Sequence, residues 1–309
     1  MANPLCTVHL VQTRPPMIIS ASYKTDIPTF YGDWFVNRLR AGYCKVVNPY
    51  NRRVSQVDLR LAAVDGFVFW TKNVGPFLDH LDEVADRGFP FVVQHTINGY
   101  PRVLETAVID VSQSIEHVKT VARRYGSRVP VWRYDTIVFS SQTTVDFHRR
   151  NFKDIAHRLS SATDEVVISF AQIYKKTRRN MDAAANGMNF EWTDPPEAVK
   201  FELAGELAEI AQAEGIQLSM CAQKQFLATG VKEARCVDAE RLSKITGQPL
   251  RAKVQGNRPD CACFQSRDIG EYDTCPHGCV YCYAVRNRPL ALRRYRRHDP
   301  NNEFLFTPI

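Results

Sequence analysis

Apolar residues fall into short unbroken runs that alternate with stretches of helical period. The runs are Met17–Ser22, Val64–Trp70, Phe89–Gln94, Pro130–Tyr134, Glu165–Phe170 and Ile216–Met220. Each has strand length, and unbroken apolarity implies burial on both faces. The intervening stretches carry apolar stripes at helical spacing. A helix is expected over about Thr29–Arg40, and another where Phe77, Leu78, Leu81, Val84 and Ala85 share a face before Gly88. Further stripes comprise Ile115, Val118, Val121 and Ala122, then Phe152, Ile155, Ala156 and Leu159. After Pro195-Pro196, Val199, Leu203, Leu207 and Ile210 form the last one, ending at Gly215. Strands alternating with amphipathic helices predict a parallel sheet covered by helices. Six such units favour a (β/α) TIM-like barrel over an open sheet. A final strand is expected around Asp268–Tyr272.

Two stretches interrupt the rhythm. Tyr43–Leu59 reads as a hairpin turning at Asn48-Pro-Tyr-Asn51. Ile173–Asp194 reads as a long connection with a basic start, Lys175-Lys-Thr-Arg-Arg179, in the manner of a lid or binding element. Residues 1–255 are expected to supply the barrel units, and residues 256–309 a cysteine-rich iron–sulfur segment with a basic tail packed on the same barrel.

The 309 residues are 44% hydrophobic and 24% charged, ordinary for a soluble globular chain. No apolar run approaches the ~18 residues that span a membrane, and the first residues do not resemble an export signal. A cytoplasmic protein is expected, in which nine cysteines suit metal ligation better than disulfides. The formal charge of +7 is concentrated after the last cysteines, at Arg286, Arg288, Arg293, Arg294, Arg296 and Arg297. Such a cluster either meets phosphates, for instance of nucleic acid, or forms a solvated helix face.

The cysteines carry the chemistry. Cys275-Pro-His-Gly-Cys279-Val-Tyr-Cys282 spaces three thiols C-x3-C-x2-C on a tight loop. Three thiolates can hold a 4Fe–4S cluster and leave its fourth iron without a protein ligand. The alternative is a zinc knuckle completed by His277 or a further cysteine. Cys221, Cys236, Cys261 and Cys263 form a second candidate group, for another cluster or a four-cysteine zinc site. Cys6 and Cys44 have no ligand spacing and are expected to be packing residues.

Barrel active sites lie at the carboxyl ends of the strands. Those ends are polar here: Lys24 and Asp26, Lys72 and Asn73, Gln94 and His95, Arg133 and Asp135, Gln172, and Gln223. Arg133 is a candidate to grip a carboxylate of cofactor or substrate, and Lys72 and His95 to meet phosphate or move a proton. Asp135 completes the catalytic candidates, and is equally able to pair with Arg133.

The cysteine loop resembles the signature of radical SAM enzymes, including Tyr281 just before its last cysteine. That resemblance implies S-adenosylmethionine (SAM) on the open iron, Tyr281 beside the cofactor, a 5′-deoxyadenosyl radical, and a reductant such as flavodoxin or ferredoxin. The whole chain resembles a bacterial family catalogued as domain of unknown function 1848. The matching residues are Phe69-Trp-Thr-Lys-Asn73, Arg133-Tyr-Asp135, Cys221-Ala, Cys236-Val-Asp238, Cys261-Ala-Cys263 and Asp268–Ala284. A weaker similarity, to spore photoproduct lyase, rests on Arg-Tyr-Asp at a strand end. Two departures from radical SAM enzymes stand out: the cysteine loop follows the strands, as in a permuted order, and the chain has no adjacent glycine pair.

Overall fold

In the computed structural model, which describes residues 16–307, eight strands form one parallel sheet. In chain order they are Met17–Ala21, Val64–Thr71, Phe91–Thr96, Pro130–Ile137, Glu165–Phe170, Gln217–Met220, Lys232–Glu233 and Ser266–Asp268. Each of the first seven lies beside its predecessor, and the eighth pairs with the first. The winding does not reverse, so all the carboxyl ends point to one side. Among the described residues no strand pairing joins the seventh strand to the eighth. Cys6 lies outside the described residues. Cys44 is a buried packing residue in the hairpin Tyr43–Val47/Val54–Asp58.

Strand side chains alternate between two faces. One face meets the helices. Phe67 and Phe69 pack edge-on against Phe35 of the Gly32–Ala41 helix, both with ring centroids at 5.2 Å. Trp132, Val166, Ile168 and Leu218 pack against Phe152, Ile155, Leu203 and Leu207 of the Val145–Leu159 and Glu197–Ala213 helices. Each wholly buried ring or branched chain contributes about 1.5–3 kcal/mol. The opposite face begins with an apolar layer, Ile18, Val68, Val92, Val131 and Val167, joined to Ala234, Val237, Leu242 and Phe264 from the chain beyond the sixth strand. Two residues further along each strand the same face turns polar, with Ser20, Trp70, Gln94, Arg133 and Ser169. Local chemistry starts the helices: Asp110 accepts from Ser112 N at 2.8 Å, and Thr144 from Phe147 N at 3.2 Å.

The structure departs from expectation in three places. The Ile173–Asp194 connection contains a 14-residue helix, Lys175–Met188, with Thr177 and Met181 buried beneath it. The last strand is Ser266–Asp268, shorter and earlier than expected. The seventh, Lys232–Glu233, is two exposed charged residues and has no apolar signal. Among the described residues no helix is long and apolar enough to cross a membrane.

Candidate functional site

The cysteine loop lies over the carboxyl ends of the first three strands, fastened from several sides. Tyr31 Oη donates to Thr274 O at 2.6 Å, Ala107 N to His277 O at 2.9 Å, and Val280 N to Leu104 O at 3.0 Å. His277 Nε2 meets Asp26 Oδ2 at 2.8 Å, and the same carboxylate accepts from Lys72 N at 2.7 Å and, through Oδ1, from Thr29 N at 2.9 Å. Burial alone would raise the Asp26 pKa. The bond and charge of His277, with the two N–H groups, outweigh it and hold the carboxyl below its usual range. His277 therefore clamps the loop to the first strand's end. Gly278 is required by the turn, with φ at +76°. A Cβ there would stand 2.5 Å from Arg288 Cδ.

Beside this clamp sits a buried ion pair that sequence reasoning missed at one end. Lys72 Nζ meets Glu105 Oε1 at 2.8 Å. Glu105 also accepts from Tyr281 Oη and, at 3.1 Å, from Asn98 Nδ2. Burial raises the Glu105 pKa, but the Lys72 charge and these donors bring it below the usual value. Lys72 behaves reciprocally. Burial lowers its pKa, and Glu105 and then Cys279 more than reverse this. Glu105 lies on an irregular turn without a motif, so the only available signal was a lone acid inside a mostly apolar segment.

The three loop thiols are half-buried. Burial pushes all three pKa values up; for Cys275 the charges of Asp26, Cys282 and Cys279 add to this, and for Cys279 the Lys72 charge opposes it. Ala284 N points at Cys282 Sγ from 3.3 Å. Half-open thiols that sense one another's charge, with a lysine and a backbone N–H turned to them, are a donor set that suits an anionic iron–sulfur centre. Among the described residues, no group of three or more His, Cys, Asp or Glu side chains is gathered tightly enough to hold a single metal ion. One tetrahedral zinc draws its thiolates to within about 3.8 Å of each other; a four-iron core is larger and keeps its ligands farther apart.

The second cysteine group lies where the polar layer meets the chain after the sixth strand. Cys236 Sγ stands 3.5 Å from Cys221 Sγ. Val237 N donates to Cys263 Sγ at 3.4 Å, and Cys263 and Cys261 pack in the same cluster as Cys221 and Cys236. Arg133 is fully engaged at this place. Its Nη2 meets Asp135 Oδ2 at 2.5 Å, and its Nη1 contacts Gln94 Oε1 at 3.0 Å and Cys236 Sγ at 3.1 Å. Its fork thus grips a carboxylate, and that carboxylate is the protein's own Asp135, also bonded by Ser169. Gln94 Nε2 donates to Cys236 O at 2.9 Å.

The remaining strand-end residues are less open than their position suggested. His95 is wholly buried with Nε2 2.9 Å from Ser114 Oγ, and burial depresses its pKa to about 3, so the ring is neutral. Lys24 pairs with Asp268 at 3.4 Å, and Asn73 caps a turn through Gly75 N at 3.0 Å. Gln223 bridges the Phe170 backbone at 2.7 and 3.1 Å. The Lys175–Met188 helix docks beside the cysteine loop. Lys176 Nζ donates to Tyr283 O and Arg179 Nη2 to Arg286 O, at 2.9 and 2.8 Å. Arg293, Arg296 and Arg297 are exposed on and just after the Arg288–Arg296 helix.

A family model described as a domain of unknown function (DUF1848) matches residues 18–284, from the first strand through the cysteine loop. The chain belongs to the DUF1848 family. Among curated proteins none matches. Solved structures similar to this family member include a D-hydantoinase crystal structure, at 10% identity and a TM-score of 0.32. That match covers 75% of this chain and 44% of the hydantoinase, and carries no argument about chemistry.

Proposed function

We propose that this DUF1848 protein is an iron–sulfur enzyme of the radical SAM type, on a sheet curled into a permuted (β/α) barrel. The curl is supported by the Gln94–Cys236 bond. The third and seventh strands are four places apart, roughly 19 Å in a flat sheet, yet a third-strand side chain reaches the residues just after the seventh. The observation that carries the function is the half-open C-x3-C-x2-C loop fixed at the carboxyl ends of the strands by His277–Asp26 and Tyr281–Glu105.

When bound by Cys275, Cys279 and Cys282, a 4Fe–4S cluster supplies an open iron for SAM and the electron that cleaves it. The protein's own residues do the rest. Lys72 places a positive charge beside Cys279 and offsets the negative charge of the ligated loop. Glu105 and Asn98 hold the Tyr281 hydroxyl, which fixes the ring before the last cysteine. The docked Lys175–Met188 helix shields the loop's far side from water. The basic residues of that helix and the exposed arginines beyond the loop suit a polyanionic substrate such as nucleic acid.

Anaerobic reconstitution tests the reading. Iron and sulfide should load onto the protein, and reduction with added SAM should release 5′-deoxyadenosine, with Cys279→Ala abolishing release. Zinc in place of iron would leave a binding module, and an intact reduced cluster that spares SAM would leave an electron-transfer protein. Either result refutes the proposal.

A further inference from the structure

Cys221 and Cys236 bring their sulfurs to 3.5 Å, in van der Waals contact, at 8% and 3% exposure. We propose that this pair is a reversible dithiol–disulfide couple, separate from the cysteine loop, that exchanges with low-molecular-weight thiols and disulfides. The two residues come from different segments, directly after the sixth strand and just after the seventh. Parallel pairing of Met220 with Glu233 sets those segments side by side. Backbone bonds fix both: Cys221 N donates to Ile168 O and Ala234 N to Met220 O, each at 2.9 Å. A disulfide needs its sulfurs at about 2.05 Å, so each has roughly 0.7 Å to move. The product is uncharged, so burial does not oppose it. A metal ion fits less well, because among the described residues no group of three or more ligating side chains is gathered.

The groups around the sulfurs suit exchange. Arg258 Nη2 is 3.2 Å from Cys221 Sγ, and Arg133 Nη1 is 3.1 Å from Cys236 Sγ. At rest the pair is protonated: the hydrogen bond with Cys236, then burial, hold the Cys221 pKa well above its usual value. A guanidinium beside each sulfur stabilises the thiolate when it forms. Arg258 is exposed and lines an open pocket of about 460 Å³ with Cys261, Arg235 and Lys224. A reagent in that pocket therefore reaches Cys221 first, and the more deeply buried Cys236 resolves.

In oxidation the Cys221 thiolate attacks one sulfur of a small disulfide, R–S–S–R, and expels R–S⁻. The Cys236 thiolate then attacks the Cys221 sulfur and expels the second R–S⁻. The reagent's S–S bond breaks, the Cys221–Cys236 bond forms, and the two cysteine protons end on two molecules of R–SH. The protein loses two electrons and the reagent gains them; a dithiol reverses the step. Cys236 is tied to the strand ends through its carbonyl, which accepts from Gln94 Nε2 at 2.9 Å, and through its sulfur, which faces the arginine that grips Asp135. Drawing that sulfur toward Cys221 changes what Arg133 meets, so the redox state is felt in the polar layer.

The full-length variant C275A/C279A/C282A tests the couple without the loop, so its outcome is independent of the function proposed above. The protein is equilibrated anaerobically with mixtures of reduced and oxidised glutathione, acid-quenched, alkylated and digested with trypsin. Mass spectrometry should find one peptide pair joined through Cys221 and Cys236, which cleavage at Lys224 and Arg235 places on separate peptides. Dithiothreitol should free both. Because a substituted protein can fail to fold, the wild-type chain is carried through the same procedure and should give the same link. In Cys236→Ser, Cys221 should instead retain glutathione. Two free thiols at every glutathione ratio, a bond from either sulfur to Cys261 or Cys263 in its place, or iron or zinc retained by the triple variant overturns the proposal.

Discussion

Glu105→Leu isolates the buried ion pair beneath the cysteine loop. The side chains of Lys72 and Glu105 are only 14% and 4% exposed and stand 2.8 Å apart. At an effective dielectric constant of 20 their attraction is about 6 kcal/mol, most of it offset by the desolvation of two charges. Removing one partner does not restore that desolvation. Lys72 stays enclosed without its counter-charge, and Tyr281 and Asn98 lose an acceptor. Breaking a buried pair in this way costs about 3–5 kcal/mol. The double variant Lys72→Met/Glu105→Leu removes both charges and should regain about 2 kcal/mol or more of that loss. Urea unfolding of the reduced apoprotein, compared across the four members of the cycle, measures both quantities. A Glu105→Leu cost below about 1 kcal/mol, or a double variant no better than the single, would refute the account of a dry, mutually dependent pair.

The same pair sets a pH window. The Glu105 and Asp26 carboxyls are lowered in the folded protein, so their contribution is present above the unfolded values near 4 and is lost as pH falls through the folded ones. Lys72 is raised, so its contribution is present below about 10.4 and is lost as pH rises through its folded value. Acid unfolding should therefore begin below about pH 4, with a shallower acid limb in Glu105→Gln, as followed by circular dichroism. Gly278→Ala places a side chain in the left-handed region, at about 1–2 kcal/mol, and displaces Arg288 from its 3.0 Å bond to Pro276 O; the iron that reconstitution loads should fall. Replacing Arg293, Arg296 and Arg297 by Gln should weaken a salt-sensitive gel shift with nucleic acid and flatten its salt dependence by about three contacts; an unchanged shift would remove these arginines from the interface.

Much of the scaffold was legible because its strands are apolar on both sides. Val64–Trp70 and Glu165–Phe170 appear almost residue for residue, as does the hairpin after Tyr43. What stayed hidden depended on partners distant in the chain. Lys232–Glu233 is a strand only because Ser219 and Met220 offer it an edge. The Lys175–Met188 helix buries so little that its polar stretch read as a connection. The cysteines of both groups were visible as spacing and count; in the fold Cys221 and Cys236 follow the sixth and seventh strands, and Cys261 and Cys263 precede the eighth. The groups that control them were less visible. Asp26 and Arg133 stood out as polar strand ends and the Arg133–Asp135 pair was open to reading, but the contacts of Asp26 with His277 and of Arg133 with Cys236 follow from the fold. Glu105 followed from nothing local.

The sheet's two margins are its thinnest parts, two and three residues long, and backbone bonding between them is slight, as in Phe264 N to Val237 O at 3.0 Å. Cys236 and Cys263 sit on opposite banks of that gap. Few backbone bonds therefore tie the chain after the seventh strand to the chain before the eighth, and this flank is the first to open. Amide exchange at Ala234, Val237 and Phe264 should then outpace that of the central strands.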